Sequence, residues 1–472
     1  MLSGSSIKTN SLWFWVVIFI IAEILLFFAF DFKFLNPIIL LLVAVLTFVV
    51  IWLKPQFALY IPLAELAWGS LGHTIGYYHF GLRLTIFLIV IFIFFLKYIF
   101  AIKQIKFFKN RKLFFIWLLI LSAVLVASLI GYYQGRGVIK IFLDVNAYLY
   151  LIYLPIWYQI YHRDYLSVIV NIIKAAALVV AIKTLLVFNF FVQQYPGFDM
   201  TTIYKWIRDT RTGFVTTFKE GFSRIFLQSQ FYVLVAWFLT VWEIIQNNKN
   251  KGAFVLLVIF SSALYLSLSR SFWLGLILGL LLMVINIFIY RRRLINFKII
   301  LILFLVLLGT CLTVEILFNA PKFHSLNIFT QRTIDTNEAA VSSRERLLEP
   351  LWQEIKEAPI FGQGFGKEIS YYSTDPKIKN ADNPTGFHTT YAFEWGWLDM
   401  WLKGGVFLII GFLAYLVLIY KQGYLKLASN HLAWPLLSVS TSLVFIHVFS
   451  PYINHPLGLG ILMLSSVILE YD

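Results

Sequence analysis

Residues 291–325 read RRRLINFKIILILFLVLLGTCLTVEILFNAPKFHS, and this stretch decides the fold. Three arginines open it, an apolar block follows over 296–318, and the chain then enters a polar insert that runs to 395. About twenty continuous apolar residues are what an α-helix needs to cross a hydrocarbon core of about 30 Å. A strand of a membrane barrel would instead alternate apolar and polar residues in short segments. The runs here, such as LFLVLLGT at 303–310 and FLIVIFIFFL at 87–96, do not alternate. A helix therefore carries the chain from a basic connector on one side to a large polar loop on the other.

Outward from this stretch the same pattern recurs. Apolar blocks lie at 12–30, 34–53, 56–72, 82–102, 112–131, 139–160, 165–190, 225–246, 252–268, 272–289, 296–318, 397–420, 432–449 and 455–470. The 472 residues are 60% hydrophobic and 13% charged, with a mean hydropathy of +0.82, a balance no soluble globular domain can bury. The expected fold is an all-α polytopic membrane protein of about 12–14 transmembrane helices. The block at 56–72 is the weakest, since Pro55, Pro62 and Glu65 interrupt it, and a re-entrant segment is an alternative there. Three regions follow: helices with short loops over 1–318, one large loop over 319–395, and C-terminal helices over 396–472. The first block, after Lys8, reads as a retained anchor, because Phe28, Phe30 and Asp31 do not form a small-residue cleavage site. A single cysteine, Cys311, precludes an internal disulfide framework.

The net charge of +15 raises the question of nucleic acid, but its placement points to lipid. Basic residues cluster in short connectors: Lys103, Lys106, Lys109, Arg111 and Lys112; Lys249 and Lys251; Arg291, Arg292, Arg293 and Lys298; Lys421 and Lys426. The positive-inside rule assigns these to the cytoplasm. That alternation puts 131–138, 191–224, the turn Ser269-Arg270-Ser271 and the insert 319–395 outside. The bilayer is the expected partner, and no nucleic acid is expected.

Within the insert, Ser342 and Glu345 have capping-box spacing. Leu348, Leu351 or Trp352, and Ile355 form an apolar stripe at helical spacing, which Pro359 ends. Pro350 is discordant inside that helix. The run Gly362-Gln363-Gly364-Phe365-Gly366 follows a helix rather than a strand, so it lacks the context of a dinucleotide loop. It suits a turn that lets backbone approach a surface. His388, where the insert returns to the membrane, has the residue type for proton abstraction from a hydroxyl. Interfacial packing accounts for His73, His79, His447 and His455. Arg270 lies between two apolar blocks with almost no loop around it, and an ionisable residue at membrane depth is a functional hypothesis. Arg224, Arg344 and Arg346 lie on the same predicted side, where guanidinium forks match phosphate oxygens. Arg208 and Arg211 read as headgroup-facing. Lys174, Lys183 and Glu243 are further charges inside spans, with Lys183 nearer the outer end.

Arg344, a helix, and Ala358-Pro359-Ile360-Phe361-Gly362-Gln363-Gly364-Phe365-Gly366 resemble the arginine–helix–Pro-x-x-Gly-x-Gly pattern of the O-antigen ligase/polymerase superfamily. His388-Thr389-Thr390-Tyr391 resembles its His-Asn-x-Tyr segment, with Thr389 in place of asparagine. Lys403-Gly404-Gly405-Val406 resembles the start of its next span, and Leu268-Ser269-Arg270-Ser271 its Ser-Arg turn. The resemblance covers about residues 222–410. It implies a GT-C-like membrane glycosyltransferase in the cytoplasmic (inner) membrane, with the main loop on the external or periplasmic side and no metal or other cofactor. The implied donor is a glycan on a polyprenyl diphosphate, and the implied acceptor is a glycan, a lipid or a protein. Arg270, Arg344 and Arg224 would hold the diphosphate, with Arg346 beside them. His388 would orient or deprotonate the acceptor, Glu394 would be a substitute base, and Gly362 and Gly364, with Tyr391, would close the loop over the sugar. Two other classes compete: a metal-dependent oligosaccharyltransferase using Asp31, and a lipid-linked glycan transporter, which would be expected to show paired repeats.

Overall fold

The structure, a computed structural model, describes residues 11–77, 80–98, 108, 110–197, 199–217, 221–247, 250–291, 297–318, 339–375 and 378–471. Lys103, Lys106, Lys109, Lys249, Arg292, Arg293, His79 and the first part of the insert, 319–338, lie outside the described residues. Eight described helical segments are long and apolar enough to cross a membrane, and five shorter apolar helices accompany them. The chain is thus an all-α multi-pass membrane protein, as its composition predicts.

The helices are α1 (Leu12–Asp31), α2 (Leu35–Leu53), α3 (Phe57–Trp68), α4 (Leu82–Tyr98), α5 (Arg111–Tyr133), α6 (Val138–Leu149), α7 (Tyr153–Ile160), α8 (Leu166–Gln193) and α9 (Met200–Asp209). After them come α10 (Gln230–Gln246), α11 (Lys251–Leu266), α12 (Arg270–Tyr290), α13 (Phe297–Phe318), α14 (Ala339–Glu357), α15 (Gly396–Lys426), α16 (Ala433–Phe449) and α17 (Pro456–Tyr471). Three antiparallel two-stranded ribbons cap the connections: β1–β2 (Gly76–Tyr77, Phe80–Gly81), β3–β4 (Gly213–Thr217, Ser223–Leu227) and β5–β6 (Ile369–Tyr372, Phe387–Thr390).

Burial sorts the bundle into a centre and a rim. Val233, Leu234, Val235 and Ala236 of α10 are fully buried, and α17 is buried along most of its length. Ile21 and Leu25 of α1 and Leu41 and Leu42 of α2 are exposed, as apolar side chains facing lipid would be. Close packing in such a bundle depends on small residues. Gly275 and Gly279 of α12 lie against α16, where the Ser442 hydroxyl donates to the Gly275 carbonyl at 2.7 Å. Charges within the bundle are paired, as a low-dielectric medium requires. Arg83 grips Glu65 at 2.8 Å, Lys174 pairs with Glu243 and Lys183 with Glu23. The Arg83 partner explains how α3 carries a glutamate through an apolar block.

Several local expectations change. The block at 139–160 is one helical segment, Val138–Ile160, tightened by a short 3-10 turn at Tyr150–Ile152 between α6 and α7. Arg224 does not open a span: it sits on β4, and α10 begins only at Gln230. The connector 191–224 folds into α9 and most of the β3–β4 hairpin. In the insert, α14 is already helical at Ala339, upstream of Ser342, whose hydroxyl binds Thr374 at 3.0 Å. Ser342 is therefore inside the helix and is not its cap. Pro350 is accommodated within α14. The buried stripe is Leu347, Leu351 and Ile355, joined by Ile369, Tyr371, Phe393 and Leu402 into a small core of its own.

A side chain at Gly279 would press on the Ser442 hydroxyl and come within 2.7 Å of the Phe238 ring and the Ser438 carbonyl. Gly279→Leu is expected to cost about 1–3 kcal/mol through overpacking. This is checked as a fall of several degrees in the melting temperature of the detergent-purified protein; an unchanged midpoint would contradict this packing.

Candidate functional site

The folded part of the insert is a helix on a ribbon. In the β5–β6 pairing His388 stands opposite Tyr371, with the two rings edge to face at 5.9 Å and 79°. His388 is half-buried there, next to Thr389, whose hydroxyl meets Ser370 at 2.7 Å. Ser343 of α14 bonds Ser373 at 2.7 Å and lies 3.3 Å from the Tyr371 hydroxyl, which ties the ribbon to the helix. One residue on, Arg344 forms an ion pair with Glu394, and its carbonyl accepts from the Trp395 indole at 3.1 Å. Two predicted site residues are thus direct partners. Arg346, by contrast, points to solvent.

The glycine run is a buried wedge. Gly362, Gly364 and Gly366 have φ of +75°, +87° and +75°, values an L side chain rarely adopts. The Gln363 amide donates to the Leu402 carbonyl at 2.6 Å and the Gly364 amide to the Lys403 carbonyl at 3.0 Å. Helix α15 is broken at Gly405, φ +68°, which frees those carbonyls, and the Val406 amide turns back to Pro359 and Ile360. On the other side a Cβ at Gly364 would lie 2.7 Å from the Gly131 amide of α5. The backbone does approach a surface here, and that surface is the interior of the bundle.

Beside the wedge lies a charged cluster that sequence reasoning did not assemble. The Lys403 ammonium, almost fully buried, donates to Asp144 at 2.7 Å, Asp399 at 2.8 Å and the Tyr391 carbonyl at 2.7 Å. Asp144 also accepts from the Gly366 amide at 2.8 Å, and Asp399 from the Asn454 amide group at 2.7 Å. Tyr391 enters the site through this carbonyl, three residues after His388. The available signal was three ionisable residues inside apolar blocks.

The remaining arginines gather where several connections meet. Arg224 on β4 donates to the Ser267 carbonyl at 2.8 Å, just before Arg270 opens α12. Ser271 reaches the Ser450 hydroxyl at 3.5 Å, and the adjacent Phe449 ring packs on Trp395 at 5.6 Å. This relay joins Arg224 and Arg270 to the Arg344–Glu394 pair at one end of the bundle. Nearby, Arg83 donates to the Ser70 carbonyl at 2.5 Å, and Ser70 bonds Ser229 at 2.9 Å, at the start of α10. Desolvation lowers the affinity of His73 for a proton, and the charges of Arg211 and Arg83 lower it further. His455 lies beside them and accepts from the Leu457 amide at 3.3 Å. Burial, the larger cause at His73, agrees with the packing expected of it, and Arg211 and Arg83 add a positive field. Among the described residues, no group of three His, Cys, Asp or Glu converges as a metal-holding set.

Residues 255–413 match the family model described as O-Antigen ligase. The match spans Arg270, Arg344, the glycine wedge, His388 and the break at Gly405, and leaves out Arg224. No curated protein and no solved structure matches the chain.

Removing the cation of the buried cluster leaves two carboxylates without a counter-charge. Lys403→Met is expected to destabilise by about 3–5 kcal/mol, whereas the neutral combination with Asp144→Asn and Asp399→Asn recovers most of that loss. Thermal unfolding in detergent compares them; a single variant as stable as the parent would contradict the role given to Lys403.

Proposed function

We propose, on the match of residues 255–413 to the O-Antigen ligase family model, glycosyl transfer from a polyprenyl-diphosphate-linked glycan to a glycan, lipid or protein acceptor. The reaction takes place at the outer face of the cytoplasmic membrane. The observation that carries this reading is the relay uniting Arg224, Arg270 and the Arg344–Glu394 pair at the end of the bundle to which the His388 ribbon is tied. The acceptor hydroxyl oxygen attacks the anomeric carbon in line, its proton passes to His388, and the bond from that carbon to the diphosphate oxygen breaks. The electron pair leaves with the diphosphate, and the anomeric configuration inverts. A diphosphate is already a good leaving group, so stabilising its charge matters more than protonating it. Arginine forks suit that work, and they supply the positive charge without a metal.

In this scheme Glu394 holds Arg344 until the diphosphate arrives. The glycine wedge contributes by fixing α14 and the ribbon against α5 and α15, so the sugar is met by side chains mounted on packed elements.

Arg270→Ala or Arg344→Ala is expected to slow donor consumption in membranes about 10²–10³-fold, the usual effect of losing one anion-stabilising donor. His388→Ala is expected to slow it about 10²–10⁴-fold, as for a lost general base. Near-normal transfer by all three at matched expression would remove these assignments. Product size with purified donor, a ladder or a single transfer, assigns polymerase or ligase. Orientation has its own test: in a Cys311→Ser background, Asp382→Cys is expected to react with an impermeant thiol reagent in intact cells and Lys421→Cys is not. The reverse pattern would place the insert in the cytoplasm.

A further inference from the structure

A two-stranded ribbon on its own is marginally stable in water, and the β3–β4 hairpin is only five residue pairs long. Along β4 the side chains alternate: Ser223, Ile225 and Leu227 are buried, while Arg224 and Phe226 share the other, half-buried face. That face meets the start of α12, where the Phe226 ring lies 5.6 Å from the ring of Phe272, two residues after Arg270. A slip of one residue along β4 would turn Arg224 into the bundle and Ile225 out of it. The place of the Arg224 guanidinium thus depends on what holds this strand in register.

The Gln228 amide donates to the Thr212 carbonyl at 3.0 Å, so the even-numbered peptides of β4 face β3 and the odd-numbered ones face away. One side chain occupies that second edge. Gln230, the first residue of α10 and fully buried, turns its carboxamide back onto the strand. Its oxygen accepts from the Leu227 amide at 3.1 Å, and its nitrogen donates to the Ile225 carbonyl at 3.1 Å. An acceptor for one residue and a donor for the residue two before it is what a peptide group of a neighbouring strand would offer. The carboxamide therefore stands in for a third strand. The same nitrogen donates to the Thr184 hydroxyl of α8 at 3.1 Å and lies 3.4 Å from the Ala263 carbonyl of α11. Through it the strand is tied to two helices of the bundle.

We infer that Gln230 is a positioning residue: by capping the free edge of β4 it fixes the register of that strand and directs Arg224 to the head of α12. Its effect on catalysis rests on the transferase reading above, in which Arg224 helps to hold the donor diphosphate. At the head of an apolar helix, packing alone would accept leucine or methionine at this position. Either would leave the Leu227 amide and the Ile225 carbonyl unpaired in the interior, and asparagine would be one methylene too short to span them.

The test uses the full-length protein and two readouts. Gln230→Met keeps the length and bulk of the side chain and gives up both bonds to β4. In lipid nanodiscs, hydrogen exchange over Ser223–Leu227 is expected to speed up about ten-fold, the effect of losing a hydrogen bond of ordinary strength, while that of α17 is unchanged. Donor consumption in membranes, at matched expression, is expected to fall about 10²-fold through misplacement of Arg224. In an Arg224→Ala background the same substitution is expected to cost nothing further, because the group it positions is gone. A residue that only stabilised the fold would lower transfer equally in both backgrounds. Such additivity, or unchanged exchange over the strand, would overturn the inference. Gln230→Asn is read by the same criteria, so that misfolding of one variant leaves the other to decide. The two readings fail separately. Parent-rate transfer by Arg224→Ala removes Arg224 from the transferase reading, while faster strand exchange in the Gln230 variants keeps Gln230 as the support of β4. Slow transfer by Arg224→Ala with additive losses sinks the inference alone.

Discussion

An ammonium group in an apolar interior must find enough oxygen to replace its water, and Lys403 finds three acceptors from three parts of the chain. Asp399 comes from its own helix, Asp144 from α6, and the Tyr391 carbonyl from the end of the β5–β6 ribbon. Asp144 in turn holds the Gly366 amide. The insert is therefore docked by satisfying a buried charge as well as by apolar contact. The break at Gly405 belongs to the same arrangement, since it frees the Leu402 and Lys403 carbonyls for the glycine wedge. Without Lys403 the ribbon, the wedge and the helix break would lose their shared anchor.

Much of the fold was legible because helix in a membrane is a local property. An apolar block of sufficient length is readily helical in a membrane, and among the described residues the blocks are helical over most of their length. The glycine run was likewise readable as a close approach, since only glycine tolerates those φ values. The partners of buried charges were not readable. Lys403 and Asp144 are 259 positions apart, and Lys183 and Glu23 are 160 apart. No periodicity connects them; only the packing of helices does. Within a block each charge looks anomalous, and the sequence cannot tell whether its partner is another residue or a ligand. For Lys183 the partner is Glu23.

The β3–β4 hairpin was missed for a related reason. Its strands are five residues each, and Ser223–Leu227 runs straight into the apolar α10, so composition merges strand and helix into one block. The difference matters for the site. On a helix, Arg224 would turn with the residues of a span. On β4 it is paired opposite Thr216 and directed to the carbonyl of Ser267, beside the start of α12. The hairpin is what brings two arginines 46 positions apart in sequence to one place.

Exposure distinguishes ion pairs that hold the fold from one that can change partner. Lys403 and Asp144 have side chains 4% and 10% exposed; separating them would strand charges in a low-dielectric interior, which costs several kcal/mol. Arg344 and Glu394 are 39% and 53% exposed, and a pair so open to water is worth only about 0–1 kcal/mol. On the proposed reading, exchanging Glu394 for a diphosphate at Arg344 would therefore be cheap, and the displaced carboxylate would remain hydrated. A carboxylate resting on the guanidinium also keeps Arg344 oriented before a donor binds, while Trp395, bonded to the Arg344 carbonyl, holds the helix that presents it. The end assigned to the proposed reaction is thus built from an exposed pair mounted on buried ones, an order set by how much water reaches each charge.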